Sequence, residues 1–219
     1  KNTIDTEKFI RRPEAEVDKL KEQYGFKSDD IIVTYCGRLC SDKGIVHLLK
    51  AVEMMHDDRI KLLIIGTPAY QGVKDDSFVR NIKKLAQKMS NEVIFTGYIP
   101  QSQLPVYYSM TSVFVLPSIC NEAAGNVIIE AMSCGLPVVS TTQGGIPEYA
   151  DKKASLLVAA DANIEMSLHD ALSKLINNPD IKRSLSINAR NVALQYDKYH
   201  YYTNFKALID HYLKEYNKR

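Results

Sequence analysis

The sequence has no tryptophan, only four cysteines and no strong excess of charge of either sign. Its 28 Lys and Arg residues nearly balance its 26 Asp and Glu residues, which leaves a net charge of +2. Dedicated nucleic-acid-binding domains are usually strongly basic, so no nucleic-acid partner is expected. No apolar run approaches the ~20 residues that a membrane-spanning helix needs, and no secretion signal is visible at the start. These absences predict a cytoplasmic location.

What the sequence does contain is typical of a globular protein. Of its 219 residues 45% are hydrophobic and 25% are charged, enough for a sizeable core in one large or two small domains. The cysteines stand in or beside apolar runs, and their spacing matches no zinc site. We interpret them as small buried hydrophobic residues in a reducing compartment. They are Cys36, Cys40, Cys120 and Cys134.

Short apolar runs alternate with segments of helical periodicity over most of the chain. Runs that are apolar throughout indicate strands buried on both faces, and their alternation with helices indicates a parallel sheet. Right-handed crossovers then give a doubly wound, Rossmann-like α/β fold with six strands. The predicted strands are 31–35, 61–65, 93–95, 113–116, 138–140 and 156–158, with helices over about 44–55, 78–89, 102–110 and 126–134.

After about residue 163 the pattern becomes purely helical, and the last predicted helix runs from about Lys198 to Tyr216. Six of the thirteen tyrosines lie between Tyr196 and Tyr216 and, with neighbouring apolar residues, nearly encircle this helix. One apolar stripe would be enough to dock it on a single core. Two interpretations remain open: the helix packs in a groove of its own domain, or it also contacts a second domain.

In an open parallel sheet, ligands bind beyond the carboxyl ends of the strands, so the loops after the strands are the candidate sites. The loop after the first strand contains neither a dinucleotide fingerprint nor a P-loop. It offers Arg38 and Lys43 just before a helix N-terminus. Two cations and free helix amides suit a diphosphate, although surface cations are more often simply solvated.

The loop after the fourth strand carries two carboxylates, Glu122 in the loop and Glu130 on the helix that follows. Side chains on a helix lean toward its N-terminus, so Glu130 points back at the strand ends. Its neighbours in sequence are apolar, so it needs a partner: sugar hydroxyls, or a cation or amide of the protein itself. The loop after the fifth strand has paired glycines, Gly144 and Gly145, which permit either close backbone approach to a ligand or an ordinary turn.

At this point several runs resemble a known family. The segment from Glu122 through Gly125 and Glu130 to Glu148 looks like the signature of retaining glycosyltransferases of family 4, which have the GT-B fold. The loops 37–44 and 95–99 are similar to two further loops of that family, and 2–9 resembles its interdomain linker, with Thr3 in place of a glycine. The resemblance covers the donor-binding, C-terminal domain alone. It implies a linker at 1–9, a nucleotide-sugar-binding domain at 10–195 and a C-terminal helix at 196–219 that crosses back toward an N-terminal domain.

The resemblance also implies roles for particular residues. Arg38 and Lys43 would bind the donor diphosphate, Glu130 the ribose hydroxyls, and Glu122 the hydroxyls of the transferred sugar. The base would meet the loop 97–99 largely through backbone atoms. No metal or other cofactor is implied, because cationic side chains and helix dipoles can neutralise the leaving diphosphate. Ala124 stands where many members have Phe or Leu. The implied donor-binding residues are Gly37, Arg38, Lys43, Gly97, Tyr98, Ile99, Glu122, Gly125, Asn126, Val127 and Glu130, with Arg38, Lys43 and Glu122 catalytic.

The function that the resemblance implies is transfer of a hexose-type sugar from a nucleotide-diphosphate sugar, with UDP favoured, to a glycan or lipid-linked acceptor. The chain alone is expected to bind nucleotide without transferring sugar, because a GT-B active site lies between two domains. Peripheral membrane association of the whole enzyme and self-association of this chain are left open. The alternatives are a GT-B epimerase, and a non-catalytic nucleotide-binding or assembly module. Retention of Arg38, Lys43, Glu122 and Glu130 together disfavours the module.

Overall fold

The computed structural model describes residues 2–68 and 77–216. Its single sheet has six parallel strands in the order β3-β2-β1-β4-β5-β6, which confirms the predicted doubly wound α/β fold. Because the chain builds outward from β1 first in one direction and then in the other, the order reverses between β1 and β4. The strands are β1 Ile31–Cys36, β2 Ile60–Ile65, β3 Val93–Gly97, β4 Val113–Leu116, β5 Val138–Thr141 and β6 Ser155–Val158.

The central strands are mostly apolar because helices cover both faces of the sheet. Every residue of β4 is buried, and β1 is buried from Ile32 to Cys36. None of the helices in the described ranges is long and apolar enough to cross a membrane. The helices are α1 Glu14–Tyr24, α2 Ile45–Glu53, α3 Ser77–Ala86, α4 Leu104–Met110, α5 Asn126–Ser133, α6 Ile164–Ile176, α7 Pro179–Leu194 and α8 Lys198–Tyr216.

The helices differ from the sequence prediction at three places. The pattern did not predict α1, whose one buried residue is Val17, too little to produce a visible apolar period. Helix α2 starts after a 3₁₀ turn at Ser41–Lys43 and ends at Glu53. Met89, expected inside α3, lies beyond the end of that helix at Ala86.

The turn before α2 needs Gly44. This residue has φ +68°, and a Cβ there would lie 1.9 Å from the carbonyl oxygen of Pro117. The close approach brings the β1–α2 loop against the β4–α5 loop. A further contact between the two loops is the carbonyl of Asp42, which accepts hydrogen bonds from the amides of Ile119 and Cys120.

The first residues of the chain pack against the segment that precedes α8. The amide of Ile4 donates to the carbonyl of Tyr196 at 2.9 Å, and Lys198 forms an ion pair with Asp5 at 3.0 Å. Arg190 on α7 donates hydrogen bonds to the carbonyls of Thr6, Phe9 and Ser133. The division into a linker at 1–9 and a crossing helix at 196–219 stays a prediction, and Lys1 and residues 217–219 lie outside the described residues.

The tyrosine-rich helix α8 does not pack on its own domain. The described side chains from Tyr199 to Tyr216 are exposed, Tyr202 by 66% of its surface and Phe205 by 50%. The interpretation that this helix docks in a groove of its own domain is therefore wrong. Tyr196, just before α8, is the partly buried exception, because its ring packs against Tyr149.

Candidate functional site

Two adjoining clefts open at the carboxyl edge of the sheet, where the strand order reverses. Ligands of doubly wound sheets bind at such reversal points, because the loops there diverge and leave a crevice. The clefts share three lining residues, Cys36, Gly37 and Val127. Their volumes are about 520 Å³ and 150 Å³. We call them the large cleft and the small cleft.

The large cleft brings together six of the residues predicted to bind the donor. Glu130 forms part of its wall, and the loop after β3 contributes a broad exposed surface, with Tyr98 65% exposed. Gly97 does not line either cleft; its carbonyl accepts a hydrogen bond from the amide of Gly66 instead. The six predicted residues at the large cleft are Gly37, Arg38, Tyr98, Ile99, Val127 and Glu130.

The small cleft contains the remaining predicted residues except Gly97. Lys43 comes from the β1–α2 loop, and Glu122, Gly125 and Asn126 come from the β4–α5 loop and the start of α5. Arg38 lines the large cleft, so the two predicted diphosphate cations stand at different clefts. A diphosphate that contacted both Arg38 and Lys43 would have to lie across the boundary between the clefts, which Gly37 and Val127 form.

Lys43 and Glu122 form a partly buried ion pair in the small cleft. The Nζ atom of Lys43 lies 2.5 Å from Oε1 of Glu122, and the side chains are 10% and 16% exposed. The same carboxylate oxygen accepts a hydrogen bond from Oγ of Ser118. Burial alone lowers the pKa of Lys43, but the hydrogen bond and charge of Glu122 more than compensate, and the pKa is raised overall. Lys43 therefore stays charged in the cleft.

The paired glycines after β5 support Glu122 and do not form a ligand surface of their own. Gly144 has φ +58°, and a Cβ there would lie 2.5 Å from the carbonyl oxygen of Glu122. The amide of Gly145 donates to that same oxygen at 2.6 Å. Of the two interpretations left open by the sequence, the structure shows the ordinary turn, which precedes the 3₁₀ helix Ile146–Glu148 and approaches the loop that carries Glu122.

Glu130 is buried, with 7% of its surface exposed, and protein groups occupy both carboxylate oxygens. Nε2 of Gln101 donates to one oxygen at 2.9 Å, and the hydroxyl of Tyr108 donates to the other at 3.0 Å. Burial raises the pKa of Glu130, and the two hydrogen bonds lower it by less. Each carboxylate oxygen can accept a second hydrogen bond, so Glu130 remains able to bind a hydroxyl from the cleft.

The start of α5 is shaped by short local contacts. The amide of Asn126 donates to the carbonyl of Ala124 at 3.0 Å. This N–H group is therefore not free to bind an anion. The side-chain oxygen of Asn126 accepts a hydrogen bond from Asn2 at 2.9 Å. Gly125 is the N-cap residue of α5, and a Cβ atom at this position would lie 2.8 Å from Cδ1 of Ile128. The backbone amide of Asn126, one of the residues predicted to bind the donor, is therefore engaged within the protein in this structure.

Three residues of the site were missed in the sequence. Ser118 and Gln101 stand in loops at the carboxyl edge, so their position alone could have marked them as candidates. Tyr108 gave no signal, because a tyrosine on the apolar face of a short helix is indistinguishable from an ordinary core residue. Nowhere in residues 2–68 and 77–216 do three His, Cys, Asp or Glu side chains converge as a metal site would require.

The interpretation of all cysteines as buried is half right. Cys36 and Cys134 are buried, whereas Cys40 and Cys120 are partly exposed. These two stand in the loops that form the small cleft, where the chain turns toward solvent. Each of them directly follows an apolar residue, Leu39 or Ile119, which is why the sequence alone suggested burial.

The strand order, and the two clefts at the carboxyl edge where that order reverses, are those of a doubly wound α/β domain with its candidate site at the reversal point. In agreement, the family profile of the group 1 glycosyl transferases matches residues 16–192. The chain belongs to this family, and the architecture predicted from the resemblance, a GT-B C-terminal domain, is confirmed.

Individual relatives show how much of such proteins this chain represents. It is 28% identical over 173 residues to the putative glycosyltransferase YtcC of Bacillus subtilis, covering 78% of this chain and 42% of the relative. It is 27% identical over 203 residues to the GDP-mannose-dependent alpha-(1-6)-phosphatidylinositol monomannoside mannosyltransferase of Mycolicibacterium smegmatis, covering 87% and 50%. The chain thus spans about half the length of each relative.

A solved structure matches over nearly the whole chain. Anabaena HepE, determined in complex with UDP and glucose, superposes with a TM-score of 0.82 at 21% identity. The match covers 97% of this chain and 55% of HepE. At this level of identity the likeness establishes the common fold.

Proposed function

We propose that this chain is the donor-binding domain of a retaining glycosyltransferase of family 4. The substrate is a nucleotide-diphosphate sugar, with UDP as the favoured nucleotide, and a hexose-type sugar passes to a glycan or lipid-linked acceptor. The observation that carries the proposal is the pair of adjoining clefts, one with a buried carboxylate and the other with a buried cation. The enzyme works in the cytoplasm, and another part of the enzyme supplies the acceptor site.

The large cleft suits the nucleoside. Glu130 can accept hydrogen bonds from ribose hydroxyls while Gln101 and Tyr108 fix its orientation. The loop with Tyr98 and Ile99 offers a partly apolar surface for the base. The base itself is an open choice within the family, since the mycobacterial relative is described as GDP-mannose-dependent and HepE was solved with UDP.

The small cleft suits the diphosphate and the transferred sugar. Lys43 is charged and faces the cleft, so it can neutralise the charge that develops on the leaving diphosphate. Arg38, from the neighbouring cleft, can reach the same group from the other side of Gly37. Glu122, held by Lys43, can accept a hydrogen bond from a sugar hydroxyl. In this proposal Lys43 and Arg38 do this work without a metal ion.

Calorimetric titration of the chain with UDP, GDP, ADP and uridine tests the proposal. We expect UDP to bind more tightly than GDP and ADP, and uridine to bind more weakly than UDP because it lacks the diphosphate. Addition of EDTA should leave the UDP affinity unchanged, whereas a loss of binding in EDTA would contradict the metal-free proposal. Absence of binding by all four compounds would overturn the proposed function.

A further inference from the structure

The hydroxyl of a buried tyrosine holds the loop that carries Arg38. Tyr35 is the last residue but one of β1, is fully buried and lines the small cleft. Its hydroxyl donates a hydrogen bond to the backbone carbonyl of Arg38 at 2.6 Å. Arg38 itself lines the large cleft. A side chain at one cleft is therefore bonded to the backbone of a cationic residue at the other.

The absence of a side chain at Gly37 makes this hydrogen bond possible. A Cβ atom at position 37 would lie 2.8 Å from the hydroxyl oxygen of Tyr35, which is closer than a real Cβ atom approaches a neighbour. Any larger residue there would push the hydroxyl away from the carbonyl of Arg38. The glycine therefore allows the tyrosine to reach the residue that follows it.

Backbone hydrogen bonds fix the residues on either side of Arg38. The amide of Gly37 donates to the carbonyl of Ile65 at 3.0 Å, and the amide of Leu39 donates to the carbonyl of Thr67 at 2.9 Å. Both bonds attach the loop after β1 to the end of β2 and the residues that follow it. The tyrosine hydroxyl adds a third attachment, at the residue between them.

The surroundings keep this hydroxyl protonated. Burial contributes most to a raised pKa of Tyr35, and nearby cysteine and carboxylate groups, Glu122 among them, raise it further. A carbonyl oxygen can only accept a hydrogen bond, so the proton of this bond belongs to the tyrosine. The tyrosine therefore remains a hydrogen-bond donor to Arg38 at neutral pH.

We propose that Tyr35 is a positioning residue that holds Arg38 at the boundary between the two clefts, where Arg38 and Lys43 together contact the diphosphate. The two cationic residues line different clefts, so one diphosphate can contact both only while the loop of Arg38 keeps its place. A fixed backbone also lowers the conformational entropy that a long side chain loses on binding. The contact with a diphosphate rests on the proposed function, whereas the attachment of the loop does not.

Calorimetry of the 219-residue chain with UDP and with uridine tests this role. Tyr35→Phe keeps the ring and removes the donor, so we expect the UDP affinity to fall about three- to tenfold, the change that corresponds to one neutral hydrogen bond. The uridine affinity should stay within about twofold, because uridine has no diphosphate for Arg38 to contact. An equal loss for uridine would show that Tyr35 supports the clefts as a whole, which overturns the proposal.

A double-mutant cycle shows whether Tyr35 acts through Arg38. Arg38→Ala should lower the UDP affinity by about tenfold or more, as expected for one lost charge-assisted hydrogen bond. When Tyr35→Phe is added to Arg38→Ala, the affinity should fall by less than about twofold further, because the side chain that the tyrosine positions is already gone. Losses that simply multiply, as independent sites give, would refute a role through Arg38.

Tyr107→Phe is the matched control. Tyr107 is also a buried tyrosine, its hydroxyl forms a hydrogen bond with the hydroxyl of Tyr24 at 3.1 Å, and it is not among the described residues that line the clefts. This variant and Tyr35→Phe should both lower the melting temperature, but only Tyr35→Phe should weaken UDP binding. Equal losses of UDP affinity in the two variants would show a general effect of destabilisation and overturn the proposal.

The failure of this proposal and that of the proposed function give different results. If the unmodified chain binds UDP and Tyr35→Phe binds it equally well, the role of Tyr35 is refuted and the proposed function stands. If the unmodified chain binds no UDP, the proposed function fails, and the assignment of Tyr35 to the diphosphate fails with it.

Discussion

At the scale of single residues, the site depends on charges that protein groups have already paired. Lys43 and Glu122 compensate each other, and Gln101 and Tyr108 partner Glu130. Desolvated ionised groups without partners are costly, so this pairing keeps the apo clefts stable. Each group also has unused hydrogen-bonding capacity, so a ligand can add contacts without breaking the existing ones. In the proposed function the same residues therefore serve both folding and binding, and a test has to separate the two.

Replacement of Lys43 by Met should weaken UDP binding by about 1.5–3 kcal/mol, the value of a charge-assisted hydrogen bond, with little change for uridine. The free energy of unfolding should also fall by about 1–3 kcal/mol, because Glu122 loses its cation. The matched control is Lys50→Met, which removes an exposed pair with Glu165 outside both clefts and should change stability by less than about 1 kcal/mol. Equal losses of uridine and UDP affinity would show that Lys43 only supports the fold.

The affinity for uridine should fall as the pH is lowered, and should do so at a higher pH than for an ordinary glutamate. Burial raises the pKa of Glu130, so its carboxylate takes up a proton early and loses acceptor capacity toward the ribose. Complete protonation should cost about tenfold in affinity, the difference between a charged and a neutral hydrogen bond. NMR titrations of uridine between pH 7.5 and 5 measure this effect.

Two controls and the sign of the stability change complete this prediction. Binding of 2′,3′-dideoxyuridine, and binding of uridine to Glu130→Gln, should not show the decline. Because the folded-state pKa is raised, ionised Glu130 costs stability above that pKa; the cost shrinks as the pH falls through it and is gone below the pKa of the unfolded chain. Its contribution to stability therefore rises while ribose affinity falls. A decline of equal size for the dideoxy compound would assign Glu130 a structural role alone.

At the scale of elements, the strands were predictable and the partners of the site were not. A strand covered on both faces must be apolar along its length, and the six predicted runs coincide with β1 to β6 to within two residues at each end. Helix α1 was not predicted because it buries only Val17 and so has no visible apolar period. Ser118 and Gln101 were not predicted as site residues. Their contacts with Glu122 and Glu130 depend on how the loops pack together, which local periodicity does not encode.

Helix α8 gives the element-scale prediction. Its aromatic and aliphatic side chains form an apolar surface that is exposed to water. Exposed apolar patches of this kind usually mark interfaces. We expect the 219-residue chain to self-associate at high concentration, and a chain ending at Asp197 to sediment as a monomer. The truncated chain keeps the contacts of Asp197 with Thr6, so its fold should persist. Circular dichroism of both chains is the control.

Two results would count against an interface on α8. One is a 219-residue chain that remains monomeric at the highest concentration reached. The other is a truncated chain that associates to the same degree, which would place the contact elsewhere on the surface.

At the scale of the whole molecule, both clefts open on one edge of a single layered domain. The chain spans about half the length of its relatives, and group transfer requires the reacting groups to be oriented together and screened from water. Within the residues described, Lys43, Glu122 and Glu130 all lie at this one edge. In the proposed function, the acceptor and the opposite wall therefore come from elsewhere in the enzyme.

The chain alone should therefore bind a nucleotide sugar and leave it intact. We expect calorimetry to detect UDP-glucose binding, while release of UDP in the presence of saccharide acceptors stays far below the roughly 1–10³ s⁻¹ of typical enzymes. A coupled assay for free UDP measures that release, and a longer protein that includes the preceding half serves as the positive control. Release by the isolated chain at an ordinary enzymatic rate, abolished in Lys43→Met, would show that this one edge of the sheet is a complete active site.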